Sequence, residues 1–407
     1  MTHASPPPSP RTPAGRRAQP RAGRVRSPEP QDDAFYTDAA DVSGAPGDVI
    51  RSRPSTFTLD PVEHTPVPAV DSWQVLYRST SALGDPIAVS GTVLVPATPW
   101  VGLGQRPLVS YAVGTRGVGD PCAPSYTLTQ GADYEGAFIA ALLAQGWAVA
   151  VTDYEGLGTP GGHTYVVGQS EGRAVIDMAR AAQRLPGTGL SSSTPTAFMG
   201  YSQGGGAAGW AAELAPTYGQ GINLKAVVAG GVPGDLEAVA DFNEDNIGMA
   251  VVLLAALGLD AAYPELDLDS YLNTRGQELR EEADDLCLVS VEAVPLLFQT
   301  VFTRVSDWTH TDPLSTPAWQ ARLAENELGS GRPPVPVYQY HGLVDELVPY
   351  AQARSLRRSW CNRGANVTWS SLPGEHLLAM VEGQTPAITW LHARFLGLPT
   401  IGNCWLP

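Results

Sequence analysis

One stretch limits what this 407-residue chain is able to fold into more than any other: Thr196-Ala197-Phe198-Met199-Gly200-Tyr201-Ser202-Gln203-Gly204-Gly205-Gly206. An apolar run enters a sharp turn, and a small-residue helix leaves it at Ala207-Ala208-Gly209-Trp210. A strand that turns straight into a helix is half of a layered α/β unit. The turn carries Gly200-x-Ser202-x-Gly204, the spacing of a nucleophile elbow. A serine on such a turn has strained backbone angles, so the residues two before and two after it must be small. The pattern predicts that Ser202 projects its hydroxyl into a cleft. It also predicts that the N–H of Gln203 faces the oxyanion formed on attack.

The spacing alone is weak, because Gly168-Gln169-Ser170-Glu171-Gly172 repeats it. There the nearest apolar strand candidate, Trp147–Thr152, ends upstream of a Gly/Pro-rich loop. Ser170 reads instead as a helix-start residue ahead of Arg173–Ala179. Ser202 is therefore the candidate nucleophile, and a glycine-rich turn with an incidental serine is the plain alternative.

Charge narrows the partners. The net charge is −16, and residues 1–31, with six Arg and one Glu, carry +5 of it, leaving −21 on the rest. Such acidity argues against nucleic acid and against anionic membrane surfaces. The longest nearly apolar run, Ile247–Leu259, has 13 residues, too few for an integral membrane span. The basic N-terminus lacks the apolar segment of a signal peptide, and nothing hydrophobic follows Arg16-Arg17. The four cysteines, Cys122, Cys287, Cys361 and Cys404, include no C-x-x-C, which disfavours zinc or dithiol redox chemistry. Three pairings are open. Cys361 and Cys404 flank the C-terminal segment, and Cys122 with Cys287 would then tie the core to an insertion. An even count with little Lys fits an exported protein, with buried free thiols as the alternative.

Taken in order, residues 1–33 are rich in Pro, Ser, Ala and Arg and read as a disordered tail. Residues 34–234 read as a first α/β part. The alternating segments Trp73–Thr80 and Ala88–Pro96 predict an antiparallel hairpin at a sheet edge. Strands Leu108–Val113, Trp147–Tyr154, Thr196–Tyr201 and Leu224–Gly230 then alternate with helices at about Tyr134–Gln145 and Gln169–Arg184. This rhythm implies a mainly parallel sheet covered on both faces. Residues 235–312 break it and read as an inserted helical cap, with the apolar helix Ile247–Leu257 either covering an acyl groove or simply buried as core. Residues 313–407 return to it with the strand Val335–Tyr340, a helix at Pro349–Asn362, the strand Val367–Leu372 and a last helix near Ile388–Leu396.

A serine nucleophile needs a base and a group to orient that base. In the α/β-hydrolase fold these follow the chain order Ser, acid, His, each just past a strand. Asp345 lies in the loop after Val335–Tyr340, with adjacent Glu346 as the alternative acid. His376 lies after Val367–Leu372. His341 ends a strand and reads as a hydrogen-bonded structural group. The second oxyanion N–H is expected from the loop Gly114-Thr115-Arg116, with Thr115 chosen and Gly114 or Arg116 as neighbouring alternatives.

These residues carry a resemblance. The segments Cys122–Tyr126, Asp153–Thr159, Gly200–Gly205 and His341–Pro349, with the weaker Pro46–Arg51, resemble the secretory lipase family in its actinobacterial form. The resemblance covers about residue 34 to the end. It implies an α/β-hydrolase with a helical cap, a secreted serine esterase acting on acyl glycerols, two disulfides and no cofactor. It places the triad on Ser202, Asp345 and His376. Val113 departs from it, standing where many relatives carry His before Gly-Thr. The same triad would serve a short-chain carboxylesterase, a polyester hydrolase or an acyltransferase. The non-enzymatic alternative is a catalytically silent scaffold that binds a ligand.

Overall fold

Apolar runs without alternation build the centre of the sheet. In the computed structural model, which describes Met1 and residues 28–406, strands β4 (Leu108–Ala112), β5 (Ala148–Thr152) and β6 (Thr196–Tyr201) are buried at every position. That is what strands covered on both faces require. Strands β1 (Val49–Pro54), β2 (Val70–Thr80), β3 (Pro86–Pro96), β7 (Leu224–Gly230), β8 (Val337–Gly342) and β9 (Val367–Leu372) complete nine, in the order β1-β2-β3-β5-β4-β6-β7-β8-β9. The first three pair antiparallel, as does β3 with β5, and every later pair is parallel. This is an α/β-hydrolase sheet with helices around it, among them α1 (Gly136–Leu143), α2 (Gly168–Arg184) and α3 (Gln203–Tyr218).

The expected hairpin forms as β2 and β3, but it is not the edge. β1 pairs outside it, and Pro54, which has no N–H to donate, fits an edge strand. Most of the expected disordered tail, residues 2–27, lies outside the described residues. Its last part is folded: Pro30–Asp32 form a turn, and Asp33 caps the helix Ala34–Thr37 by accepting from the Phe35 N–H at 2.9 Å. Arg53 pairs with both Asp33 oxygens, at 3.1 and 2.5 Å, which holds this entry to β1.

Between β7 and β8 the regular elements from Leu236 to Glu325 are all helices, the last of them lying past residue 312. Its own apolar cluster includes Leu253, Leu254 and Leu257 of α4 (Met249–Ala262) and Trp319 and Leu323 of α5 (Pro317–Glu325). Trp319 is fully buried there and donates Nε1–H to the Leu266 carbonyl, and this packing draws α5 into the layer. Helices α6 (Tyr350–Asn362) and α7 (His376–Phe395) close the fold. α7 begins twelve residues before the expected Ile388. Gly383 and Pro386 both lie inside it, and Gly383 is where Tyr340 packs: a Cβ there would lie 2.1 Å from its ring.

Both disulfides form, Cys122–Cys287 and Cys361–Cys404. The first joins the segment after β4 to the helical layer, beside an isolated bridge between Gly117 and Cys287. Among the described residues no single helix is long and apolar enough to cross a membrane.

Candidate active site

Ser202 sits between β6 and α3 with φ 58° and ψ −124°. A non-glycine residue holds such a conformation only when its surroundings impose it. Here its N–H donates to the Gly230 carbonyl at 2.9 Å. The flanking glycines are required by close approach. A Cβ on Gly200 would lie 2.2 Å from the Gly204 carbonyl oxygen, and one on Gly204 would lie 2.0 Å from that of Ala112. The serine also caps the N-terminus of α3, where the helix dipole favours negative charge.

The loop after β8 and the start of α7 bring two groups to this serine. His376 Nε2 lies 2.9 Å from Ser202 Oγ, and its Nδ1 lies 2.7 Å from Asp345 Oδ2. The carboxylate accepts from Nδ1–H, which leaves Nε2 as the acceptor facing the hydroxyl. Asp345 Oδ1 accepts from the N–H groups of Leu347 and Val348, at 3.1 and 2.7 Å. Burial works to raise the pKa of Asp345, but the His376 hydrogen bond and the nearby imidazoles outweigh it and hold the pKa below the ordinary carboxylate value. Glu346 does a different job from its neighbour. It accepts from the backbone N–H of His376 at 3.0 Å. Tyr201 donates its hydroxyl to the His376 carbonyl at 2.6 Å. Glu375 caps α7 by accepting from Leu377 and Leu378. His376 is thus the first residue of a helix rather than part of a loop. His341 is fully buried and donates Nε2–H to the Val348 carbonyl at 2.8 Å.

Three positions were open for the second oxyanion donor. The N–H of Gly114 is already given to Glu135 Oε1 at 2.8 Å. Arg116 is buried in ion pairs with Asp133 and Glu135, its guanidinium 3.9 Å from the Tyr134 ring centroid. Thr115 lines the same cavity as Ser202, Gln203 and His376. Ser170 lies inside α2, buried, and donates to the Glu155 carboxylate.

The cavity over these residues has a volume of about 670 Å3, within the range of small-molecule sites. Its walls are mostly apolar, from Pro233 and Leu236 through Val251, Val252 and Ala255 to Leu297, Met380 and Val381. The apolar helix of the helical layer faces two ways: Val252 and Ala255 line the cavity, and Leu253, Leu254 and Leu257 are core. Among the described residues no group of three or more His, Cys, Asp or Glu side chains is placed to hold a metal ion.

Several buried polar residues around the site had no place in the sequence reading. Glu135 accepts from Tyr111 Oη at 2.5 Å besides Gly114 and Arg116. Glu171 accepts from Gln203 Nε2 at 2.7 Å, and burial pushes its pKa up to about 8. His163 lies 3.3 Å from the same Gln203 nitrogen, and burial pushes its pKa down to about 4. One signal was legible. Glu171 is a charged residue among Gly172, Ala174, Val175 and Met178, which a buried helix face does not tolerate without a partner.

Residues 123–403 match the secretory lipase family. Lipase 4 of Candida albicans is 30% identical, the alignment covering 94% of this chain and 85% of that one. A probable inactive lipase of Mycobacterium tuberculosis is 33% identical over 92% of this chain and 84% of its own length. The structure of Candida antarctica lipase A in its closed state superposes with a TM-score of 0.82 at 27% identity, covering 93% of this chain and 89% of that one.

Proposed function

The chain belongs to the secretory lipase family, and from that premise we propose that this ester hydrolase cleaves long-chain acyl esters, acyl glycerols among them, through Ser202, His376 and Asp345. One observation carries the reading. The hydrogen-bonded row Asp345–His376–Ser202 ends at a 670 Å3 cavity whose walls are mostly apolar. A hydrophobic cavity takes up an acyl chain by removing apolar surface from water, and the row supplies an activated hydroxyl at its wall.

His376 Nε2 takes the proton of Ser202 as Oγ attacks the ester carbonyl. Asp345 keeps the imidazole in the useful tautomer and stabilises the imidazolium. The carbonyl oxygen, now an oxyanion, is held by the N–H groups of Gln203 and Thr115 at the positive end of α3. His376 returns the proton to the departing alkoxide, which leaves an acyl group on Ser202 and a free alcohol. Water, deprotonated by the same imidazole, then attacks the acyl-enzyme and releases the fatty acid. We place the protein outside the cell, where two disulfides persist.

The test is hydrolysis of p-nitrophenyl esters from acetyl to palmitoyl by the wild type and by Ser202→Ala, with labelling by a serine-reactive phosphonate. The expected result is turnover rising toward long chains, lost in Ser202→Ala, with one phosphonate bound per wild-type chain. A preference for acetyl over palmitoyl would make the protein a short-chain esterase instead. A second reading has one motive: a relative one-third identical is named a probable inactive lipase. A wild type that neither labels nor turns over would make this chain a silent scaffold.

A further inference from the structure

The second Gly-x-Ser-x-Gly, set aside as a helix start, packs directly behind the elbow. A Cβ on Gly168 would lie 1.9 Å from the Trp210 indole nitrogen, and one on Gly172 would lie 2.8 Å from Trp210 Cβ. The two glycines therefore let α2 lie against α3 at Trp210, about two turns of helix past Ser202. Between them stands Glu171, about 1% exposed. Its Oε1 accepts two hydrogen bonds, from Gln203 Nε2 at 2.7 Å and from the Val166 N–H at 2.9 Å. Val166 is held at φ 55°, a conformation a β-branched residue adopts only under constraint. The residue before it, Tyr165, brings its hydroxyl to 2.7 Å from Thr115 Oγ1. One buried carboxyl is thus bound to both sides of the oxyanion site: to Gln203 directly, and to Thr115 through the turn that carries Tyr165.

A second path reaches Gln203 from the same motif. Ser170 donates to the Glu155 carboxylate. The Glu155 carbonyl accepts Nδ1–H of His163 at 2.9 Å. That fixes the tautomer and leaves His163 Nε2 as an acceptor 3.3 Å from Gln203 Nε2. The side-chain amide of Gln203 thus has two buried acceptors.

We propose that Glu171 is a positioning residue for ester hydrolysis: by holding Gln203 and the Tyr165–Val166 turn it sets the two oxyanion N–H groups, and the second Gly-x-Ser-x-Gly exists to bring it there. This rests on the reading of Ser202, Gln203 and Thr115 given above. Plain packing does not account for the residue. A buried carboxyl between two small-residue helices is costly to desolvate, and an apolar side chain would fill the space without that cost. Its hydrogen bonds to Gln203 and to the Val166 N–H both go to the elements that frame the oxyanion. Burial pushes its pKa up to about 8, which disfavours a negative charge behind the developing oxyanion.

The experiment compares Glu171→Leu, Glu171→Gln and Gln203→Ala with the wild type on the p-nitrophenyl ester it turns over fastest. It also measures Ki for a trifluoromethyl ketone, whose hemiketal oxygen mimics the oxyanion, and Tm for every variant. Glu171→Leu should lower kcat by about 10- to 100-fold, below the loss from deleting an oxyanion donor, with KM changed less than about twofold. The trifluoromethyl ketone Ki should rise by the same factor. Glu171→Gln keeps an acceptor oxygen and should recover most of the rate. Gln203→Ala keeps the backbone N–H but loses the tether. It breaks one of the two ties of Glu171 and should lose less than Glu171→Leu, and the double variant should lose less than the two single losses combined. A folded Glu171→Leu with wild-type kcat, or a kcat loss that Ki does not follow, overturns the proposal. If Glu171→Leu does not fold, Gln203→Ala decides on the same two readouts. Ser202→Ala separates the levels. If it is dead while Glu171→Leu is unaffected, only the positioning role fails. If it stays active, the triad reading fails and the positioning role with it.

Discussion

Residues 168–172 and 200–204 share the spacing Gly-x-Ser-x-Gly, and the fold treats their serines in opposite ways. Ser202 follows a buried strand, holds φ 58° and meets His376. Ser170 lies within the first turn of a helix entered from a loop, and its hydroxyl is consumed by Glu155. The glycines differ as well. Around Ser202 they admit backbone carbonyls, from Gly204 and Ala112. Around Ser170 they admit the side chain of Trp210. The spacing says only that something comes close. Whether a hydroxyl becomes a nucleophile depends on the strand before it and on the base that the rest of the chain delivers.

The sharpest way to break this contrast is the pair of serines. Ser202→Ala should lower kcat by about 10⁴-fold or more. Ser170→Ala should cost about 1–3 kcal/mol of stability for an unpaired buried acceptor and less than about tenfold in kcat. Rates measured side by side with thermal denaturation check both. Equal rate losses would erase the distinction.

The glycines come next. Gly204→Ala forces a carbon against a backbone carbonyl and should destabilise by more than about 3 kcal/mol, whereas Gly172→Ala meets a tryptophan side chain and a neighbouring amide and should cost about 1–3 kcal/mol. Urea midpoints compare the two.

Acid should sharpen the coupling between the motifs. His163 has its pKa lowered to about 4 by burial, against an ordinary value of about 6.5. The unfolded chain therefore takes up this proton first as pH falls. Stability from keeping the ring neutral is complete above pH 6.5 and is lost between 6.5 and 4, on the order of 3 kcal/mol in all. Glu171, with its pKa raised to about 8, slopes the other way: its contribution is complete below its ordinary value and fades as pH rises through 8. Glu155, Tyr154 and Tyr165 also face the ring. Comparing Tm from pH 7.5 to 4.5 in the wild type and His163→Gln isolates the histidine, and the variant should lose less on acidification.

The smallest effect concerns how the second motif is capped. Gly168 N–H donates at 2.9 Å to Asn326 Oδ1, from far along the chain, because Val167 at the N-cap offers no acceptor of its own. Asn326→Ala should cost about 1 kcal/mol with kcat/KM unchanged, read as a shift in Tm of a few degrees.

The part of this protein legible in the sequence is local or ordered along the chain. The strand-turn-helix at Ser202, the alternation that yields a mainly parallel sheet, and the order Ser202, Asp345, His376 each depend on short patterns. Backbone sterics and hydrophobic periodicity impose those patterns wherever they occur. That Asp345 rather than Glu346 meets the His376 ring, that the Gly114 N–H is already taken, and that the helical layer extends through Trp319 depend on contacts between residues 21 to 53 positions apart in the chain. Those contacts are the Asp345–His376 hydrogen bond, the Glu135 carboxylate on Gly114 and the burial of Trp319 against Leu266. The role of Glu171 belongs with them. Its sequence shows a charge on an apolar helix face, and only the packing of α2 on α3 shows what that charge meets. Close packing and buried hydrogen bonds join residues distant in the chain, so no local pattern encodes them.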